Sequence, residues 1–310
     1  MKTLQLFLLL IVFTFTIVRA QVKDDATKFF ESANYKFDKK DYKGAIADYT
    51  SAIEKNPSMP GAYNNRGLAK FNSDDKKGAI EDYTKAIELK PEYASAFNNR
   101  GSARQDMKDD KGAIEDYTRA IELKPGYEKA YYNRGVSKYN SGDKKGAMED
   151  YTKAIEIKPD FYLAFFNRGV IKYEMDDYDG AIKDYSSAAK AKPDYAMAYN
   201  NRGLAKYKQK NYKDAIDDFS KAIDMLADFP TAYFNRGLVK YDTGDKAGAI
   251  KDYTKAIDLK PKYATAYNNR GMAKHDNGDD KSACQDWKKA LEYGYAKSQE
   301  LLDKYCTNSK

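Results

Sequence analysis

The stretch YNNRG at residues 63–67 returns as FNNRG at 97–101, YYNRG at 131–135, FFNRG at 165–169, YNNRG at 199–203, YFNRG at 233–237 and YNNRG at 267–271. The step is 34 residues each time. A period held without insertion or deletion is the mark of a chain built from stacked copies of one supersecondary unit, each packing on its neighbours. It therefore takes precedence over any local motif in deciding the fold.

Working outward from that phrase, each unit is numbered from residues 26, 60, 94, 128, 162, 196, 230 and 264. Alanine fills unit position 20 in all eight copies, from Ala45 to Ala283, and fills position 27 as well. Position 24 is always aromatic: Tyr49, Tyr83, Tyr117, Tyr151, Tyr185, Phe219, Tyr253 and Trp287. Positions 4, 8 and 11, and then 20, 24, 27 and 28, recur at helical spacing, with a break such as Ser141-Gly142-Asp143 between the two sets. The spacing predicts two helices per unit. Small residues at 8, 20 and 27 let the pair approach closely, and prolines such as Pro91 and Pro125 mark where the second helix must stop.

On these residues the chain resembles the tetratricopeptide-repeat family over about 26–297. The resemblance implies an all-α fold, a right-handed superhelical solenoid of antiparallel helix pairs with the first helix of each pair on the concave face. Unit 1 replaces Asn-Arg-Gly by Glu31-Ser32-Ala33, as an end unit should. A further helical stretch at 296–306, carrying Leu301, Leu302 and Tyr305, is expected to cap the last repeat. Residues 307–310 form a tail and 21–25 a short linker.

Residues 1–20 are of a different kind. Lys2 precedes an apolar run from Leu6 to Val18, and Val18-Arg19-Ala20 supplies short residues where a signal peptidase reads, so cleavage is expected after Ala20. The run is too short for a membrane span, which needs about 20 apolar residues. Export to a periplasm or to the exterior follows, with no membrane insertion after cleavage. Loss of Lys2 and Arg19 lowers the formal charge from +7 to +5, which is no nucleic-acid patch on a chain with acids throughout.

Cys284 and Cys306 lie ten residues before and eleven residues after Gly294-Tyr295. A helical hairpin turning there brings the thiols together, and in an exported protein this favours a disulfide over two buried thiols.

The repeated phrase divides by helix face. Arg66, Arg100, Arg134, Arg168, Arg202, Arg236 and Arg270 occupy position 7, where the family usually has an apolar residue. Position 23 is aspartate throughout: Asp48, Asp82, Asp116, Asp150, Asp184, Asp218, Asp252 and Asp286. An inward guanidinium requires a partner, and its planar fork suits a carboxylate. A stacked charge ladder is the structural reading, and an anion-binding row the functional one. Asp48 has no arginine in its own unit and could serve Arg66, so pairing between units is open. The basic residues at position 11 (Lys36, Lys70 and their successors) are expected to pair with the aspartates at position 16 in a partly solvated row.

Asn65, Asn99, Asn133, Asn167, Asn201, Asn235 and Asn269, at position 6, point toward the concave face. A carboxamide both donates and accepts, so it can pair with a peptide bond of any sequence. The row resembles the asparagine ladder of the O-linked GlcNAc transferase family, which grips extended peptide; alternatively each asparagine only bridges adjacent first helices. Around the row, Tyr139, Phe166, Tyr173, Met197 and Tyr207 supply apolar pockets.

There is no zinc-type Cys/His cluster, no phosphate loop and no nucleophile motif. The sequence therefore points to a non-catalytic scaffold without cofactor or metal, holding an extended peptide or a helix of a partner protein in its groove and not nucleic acid. The alternative is a structural spacer or assembly subunit that binds through its edges or convex face.

Overall fold

The computed structural model describes residues 24–306, which form seventeen helices and no strand among the described residues. The chain divides into two compact units between Lys158 and Pro159. In the first, α1 (24–38) pairs with α2 (Tyr42–Lys55), α3 (Pro60–Asn72) with α4 (Lys76–Leu89), α5 (Ala94–Asp106) with α6 (Asp110–Leu123), and α7 (Glu128–Asn140) with α8 (Lys144–Ile157). In the second, the pairs are α9 (Tyr162–Glu174) with α10 (Tyr178–Ala191), α11 (Ala196–Lys208) with α12 (Tyr212–Met225), α13 (Pro230–Asp242) with α14 (Lys246–Leu259), and α15 (Ala264–His275) with α16 (Asp280–Glu292). A last helix, α17 (Ser298–Tyr305), packs on α16.

The pairing follows from side-chain size. Tyr83, Tyr117, Tyr151, Tyr185, Tyr253 and Trp287 are almost wholly buried, as are the alanines at positions 20 and 27. A Cβ added at Gly67 would stand 2.7 Å from the Tyr83 ring, closer than carbon atoms pack. Position 8 is accordingly glycine in seven units, and the first alone sets an alanine, Ala33, against its ring, Tyr49. Within each unit of the fold, successive first helices also touch, as α3 does α5 and α11 does α13.

The second helix of most pairs starts on an aspartate N-cap. Asp75 Oδ1, for example, accepts from the Gly78 N–H at 2.9 Å, and Asp41, Asp109, Asp143, Asp177 and Asp245 repeat the bond. Such a cap satisfies an otherwise orphaned helix N–H. This differs from the expectation for position 16: these carboxylates hold helix ends, and among the described residues Asp109 alone also comes within 4.0 Å of its position-11 residue, Arg104. Just before each cap, position 15 is left-handed in every pair, at Gly142, Gly244 and Gly278 but also at Lys40, Asp74, Lys108, Asp176 and Lys210.

At the ends two boundaries differ from expectation. Residues 24 and 25 are already helical, so the linker before α1 is shorter than 21–25. The capping helix runs from Ser298 to Tyr305, because Gly294, at φ +94°, ends the preceding turn and the chain needs three more residues to re-enter a helix. Cys284 on α16 and Cys306 after α17 are joined by a disulfide, with their Cα atoms 5.8 Å apart. Beneath α17, Trp287 and Leu302 form the buried centre of a cluster with Leu301 and Tyr305. The expected signal segment 1–20 and tail 307–310 lie outside the described residues.

Candidate functional site

Two ladders run along the first helices, one charged and one of carboxamides. In the charged ladder, each arginine at position 7 pairs with the aspartate of its own repeat. Arg66 Nε and Nη2 donate to Asp82 at 2.9 and 2.7 Å, and the same fork joins Arg100 to Asp116, Arg134 to Asp150, Arg168 to Asp184, Arg202 to Asp218, Arg236 to Asp252 and Arg270 to Asp286. The basic residue at position 11 shares the oxygen that accepts from Nε, as Lys70 does on Asp82 at 2.9 Å and Lys206 on Asp218 at 2.8 Å. Each of these aspartates is thus a buried anion held between two cations. The Asp218 and Asp252 carboxylates keep the Arg202 and Arg236 guanidiniums above their ordinary pKa, against the opposing effect of burial.

Asp48 departs from that scheme. It accepts from Ser32 and pairs with Lys36, both at 2.6 Å, and not with Arg66. The link between repeats is instead a hydroxyl. Arg66 Nη1 reaches Thr50, Arg100 reaches Thr84, and Arg134 reaches Thr118, each at 3.1 Å. In the second unit Arg202, Arg236 and Arg270 reach Ser186, Ser220 and Thr254. The Thr or Ser at position 25 was overlooked in the sequence, although it recurs with the period. Each guanidinium also lies over the aromatic ring three residues earlier on its helix, as Arg66 does on Tyr63. Carboxylate, hydroxyl and ring contacts from the protein thus engage the guanidiniums of this row.

The second ladder is made of pairs of asparagines. Asn65 Nδ2 donates to Asn34 Oδ1 at 3.1 Å, Asn99 to Asn64 at 3.0 Å and Asn133 to Asn98 at 3.3 Å. In the second unit Asn235 donates to Asn200 at 3.0 Å, and Asn200 itself donates to Asn201. Asn269 accepts from Asn268. Asn64, Asn98, Asn200 and Asn268, at position 5, are buried, whereas Asn65, Asn99, Asn133, Asn167, Asn201 and Asn269 are half-buried and Asn235 is 6% exposed. Asn65, Asn99, Asn133 and Asn235 thus bridge neighbouring first helices, and three of their four acceptors are asparagines at position 5, where four units carry an aromatic residue instead. Amide capacity remains unspent at Asn133, which uses one of its two N–H groups, whereas Asn201 also hydrogen-bonds the Tyr185 hydroxyl.

The aromatic residues beside the ladder are packed to different degrees. Phe166 is wedged against Tyr185 and Tyr195, and Tyr173 lies edge-on to Tyr178, so both serve the inter-helix core as well as the face. Tyr139 is half-buried. Tyr207 donates its hydroxyl to Asp242 on the next first helix at 2.6 Å, and Tyr241 donates likewise to Asp276. Met197, at 45% exposed, is the most open apolar side chain of α11. It shares a face with Asn200, Asn201 and Leu204 by helical spacing.

Among the described residues no cluster of three or more His, Cys, Asp or Glu could hold a metal, and no helix is long and apolar enough to cross a membrane.

Comparison with known families and structures agrees with this architecture. Family models described as "Tetratricopeptide repeat" match residues 166–232 and residues 60–93 and 128–161. A model described as "TPR repeat" matches 33–74, 106–142 and 239–278. A comparison with curated proteins finds no match. Among solved structures, MamA is 28% identical with a TM-score of 0.50, over 53% of this chain and 96% of that one. YrrB, described as a TPR protein with an unusual peptide-binding site, is 23% identical with a TM-score of 0.51, over 59% and 95%. A tetratricopeptide repeat protein from Parabacteroides merdae is 18% identical with a TM-score of 0.58, over 81% and 99%. Repeats of this fold are typically non-catalytic scaffolds that bind protein or peptide partners. From its 34-residue period, its packed helix pairs and these matches, the chain belongs to the tetratricopeptide-repeat family.

Proposed function

We propose that this protein is an exported, non-catalytic scaffold whose first helices hold an extended peptide or a helix of a partner protein along the asparagine row. The observation that carries this reading is the unspent N–H of the half-buried Asn133 carboxamide, together with the exposed Met197 on the same face of α11 as Asn201. An amide that keeps a free donor can bind main chain without regard to sequence, while apolar neighbours exclude water from the bond. Aromatic residues such as Tyr207, fixed by neighbouring groups, add contact surface with little entropy left to lose on binding. Export rests on residues 1–20 as a signal and on the Cys284–Cys306 disulfide, a bond that persists in oxidising compartments.

The test is affinity capture from the envelope or secreted fraction with three baits: the parent chain, Asn133→Ala/Asn201→Ala, and Met197→Glu. Partners retained by the parent and lost from both variants, with all three melting alike, are the expected result. The same partners on every bait would move the binding surface to the edges or the second helices. Amino-terminal sequencing of the protein from its native fraction checks export, with Gln21 as the expected first residue.

A further inference from the structure

The first two repeats form a cavity with an asparagine in its lining where six of the other units carry an aliphatic residue. It has a volume of about 250 Å³ and is lined by Asn34, Phe37, Asp38, Tyr49, Asn65 and Leu68. Its origin is one substitution within the repeat. Position 9 carries Leu68, Val136, Val170, Leu204, Leu238 and Met272 in six units, Ser102 in the third and Asn34 in the first. The shorter, polar side chain leaves the space that an aliphatic group fills in those repeats.

The lining is set before any ligand arrives. Asn34 Oδ1 accepts from the Tyr49 hydroxyl at 2.6 Å and from Asn65 Nδ2 at 3.1 Å, so both lone pairs are used and the amide orientation is fixed. Phe37 is braced edge-on by Tyr42 at 5.5 Å. What remains open is distinctive. The Asn34 Nδ2 group has no acceptor, Asn65 Oδ1 has accepted only from Asn64, and the exposed Asp38 carboxylate makes no ion pair among the described residues. Its neighbours in sequence do not neutralise it, since Lys36 is taken by Asp48 and the Lys39 ammonium lies over the Tyr35 ring. The single full charge in the lining is therefore negative. It stands beside two aromatic rings, and a ring face adds its own attraction for a cation.

We propose that this cavity is a side-chain pocket for a lysine or arginine of the bound peptide, with Asp38 taking the cation and Asn34 Nδ2 donating to a peptide carbonyl. Phe37 and Leu68 cover the aliphatic stem, as apolar surface commonly does for these two side chains. The assignment rests on the groove reading above and gives it a sequence preference and a direction: the basic residue lies at the α1 end. A neutral side chain of the same length would leave Asp38 without a counter-charge and gain only the apolar contact.

The experiment presents a pool of degenerate dodecapeptides, including norleucine and citrulline among the building blocks, to the immobilised full chain. Asp38→Asn, which keeps shape and removes charge, and Asn34→Leu, which restores the aliphatic residue of those six repeats, are run in parallel with melting curves. The expected result is enrichment of lysine or arginine over norleucine and citrulline by tenfold or more at one position, abolished in both variants. Peptides retained without that preference, or with it intact in Asp38→Asn, overturn the pocket and leave the groove standing. No peptide retained by the parent overturns the pocket together with the groove.

Discussion

Arg134 and Asp150 are joined by two parallel hydrogen bonds of 2.9 and 2.7 Å across the α7–α8 pair, and Lys138 meets the same carboxylate at 2.8 Å. Two cations thus converge on an anion that is only 3% exposed. Removing one partner of such a buried group costs more than the pair is worth, because the remaining charge keeps its desolvation penalty.

Asp150→Ala is therefore expected to lower stability by about 3–5 kcal/mol, the range for a broken buried pair. The low end is favoured because the Arg134 and Lys138 side chains keep 16% and 20% exposure and can recover some hydration. Urea unfolding followed by circular dichroism reads the change. A difference within error of zero would mean that water already screens the pair.

Ser137 offers the opposite sign. It is wholly buried in α7, and its hydroxyl has no partner in the structure. Ala69 and Ala103 hold the same place in α3 and α5. Ser137→Ala removes a stranded polar atom and improves helix propensity, so it should stabilise by about 1–2 kcal/mol. An equal loss would show that the hydroxyl is satisfied by water.

Lys108 precedes α6 with φ at +67°, where three other repeats use glycine. A side chain in that conformation costs about 1–2 kcal/mol, and glycine's greater freedom in the unfolded chain returns about 0.5–1 of it. Lys108→Gly should raise stability by roughly 0.5 kcal/mol on those magnitudes. A lowered melting temperature would show that the lysine side chain stabilises the turn by more than its backbone strain.

The buried tyrosines set the alkaline limit. Burial pushes Tyr83, Tyr117, Tyr185 and Tyr253 far above the ordinary phenol value and Tyr49 up to about 12. Above pH 10 the unfolded chain releases these protons while the folded chain retains them, so the unfolded state gains. Stability from this source is complete below pH 10 and declines through about pH 12, the value reached by Tyr49. Phe219 already occupies this place in α12. Tyr83→Phe should accordingly make the alkaline decline shallower, and an unchanged slope between pH 10 and 12 would exclude the phenols as its cause.

The sequence by itself determined the repeat, its register and the helix pairing. A 34-residue period carries alanines along the contact in all eight units and a glycine against an aromatic ring in seven, and these are local, size-based constraints. It also marked the position-7 arginines and the position-23 aspartates as partners, with pairing within or between repeats left open, since an inward guanidinium must be matched within reach of its fork.

Only the tertiary structure decided which carboxylate serves which cation. Asp48 and Asp82 are indistinguishable by position, yet one pairs with Lys36 and the other with Arg66. Position 16 holds a helix end where a counter-ion was expected, and position 25 joins repeats through its hydroxyl. The physical reason is directional. A hydrogen bond depends on angle and on distance to within a few tenths of an ångström, whereas spacing along a helix fixes only the face. The cavity at Asn34 is of the same kind: the sequence shows a shorter residue, but only packing shows that its neighbours leave the space open.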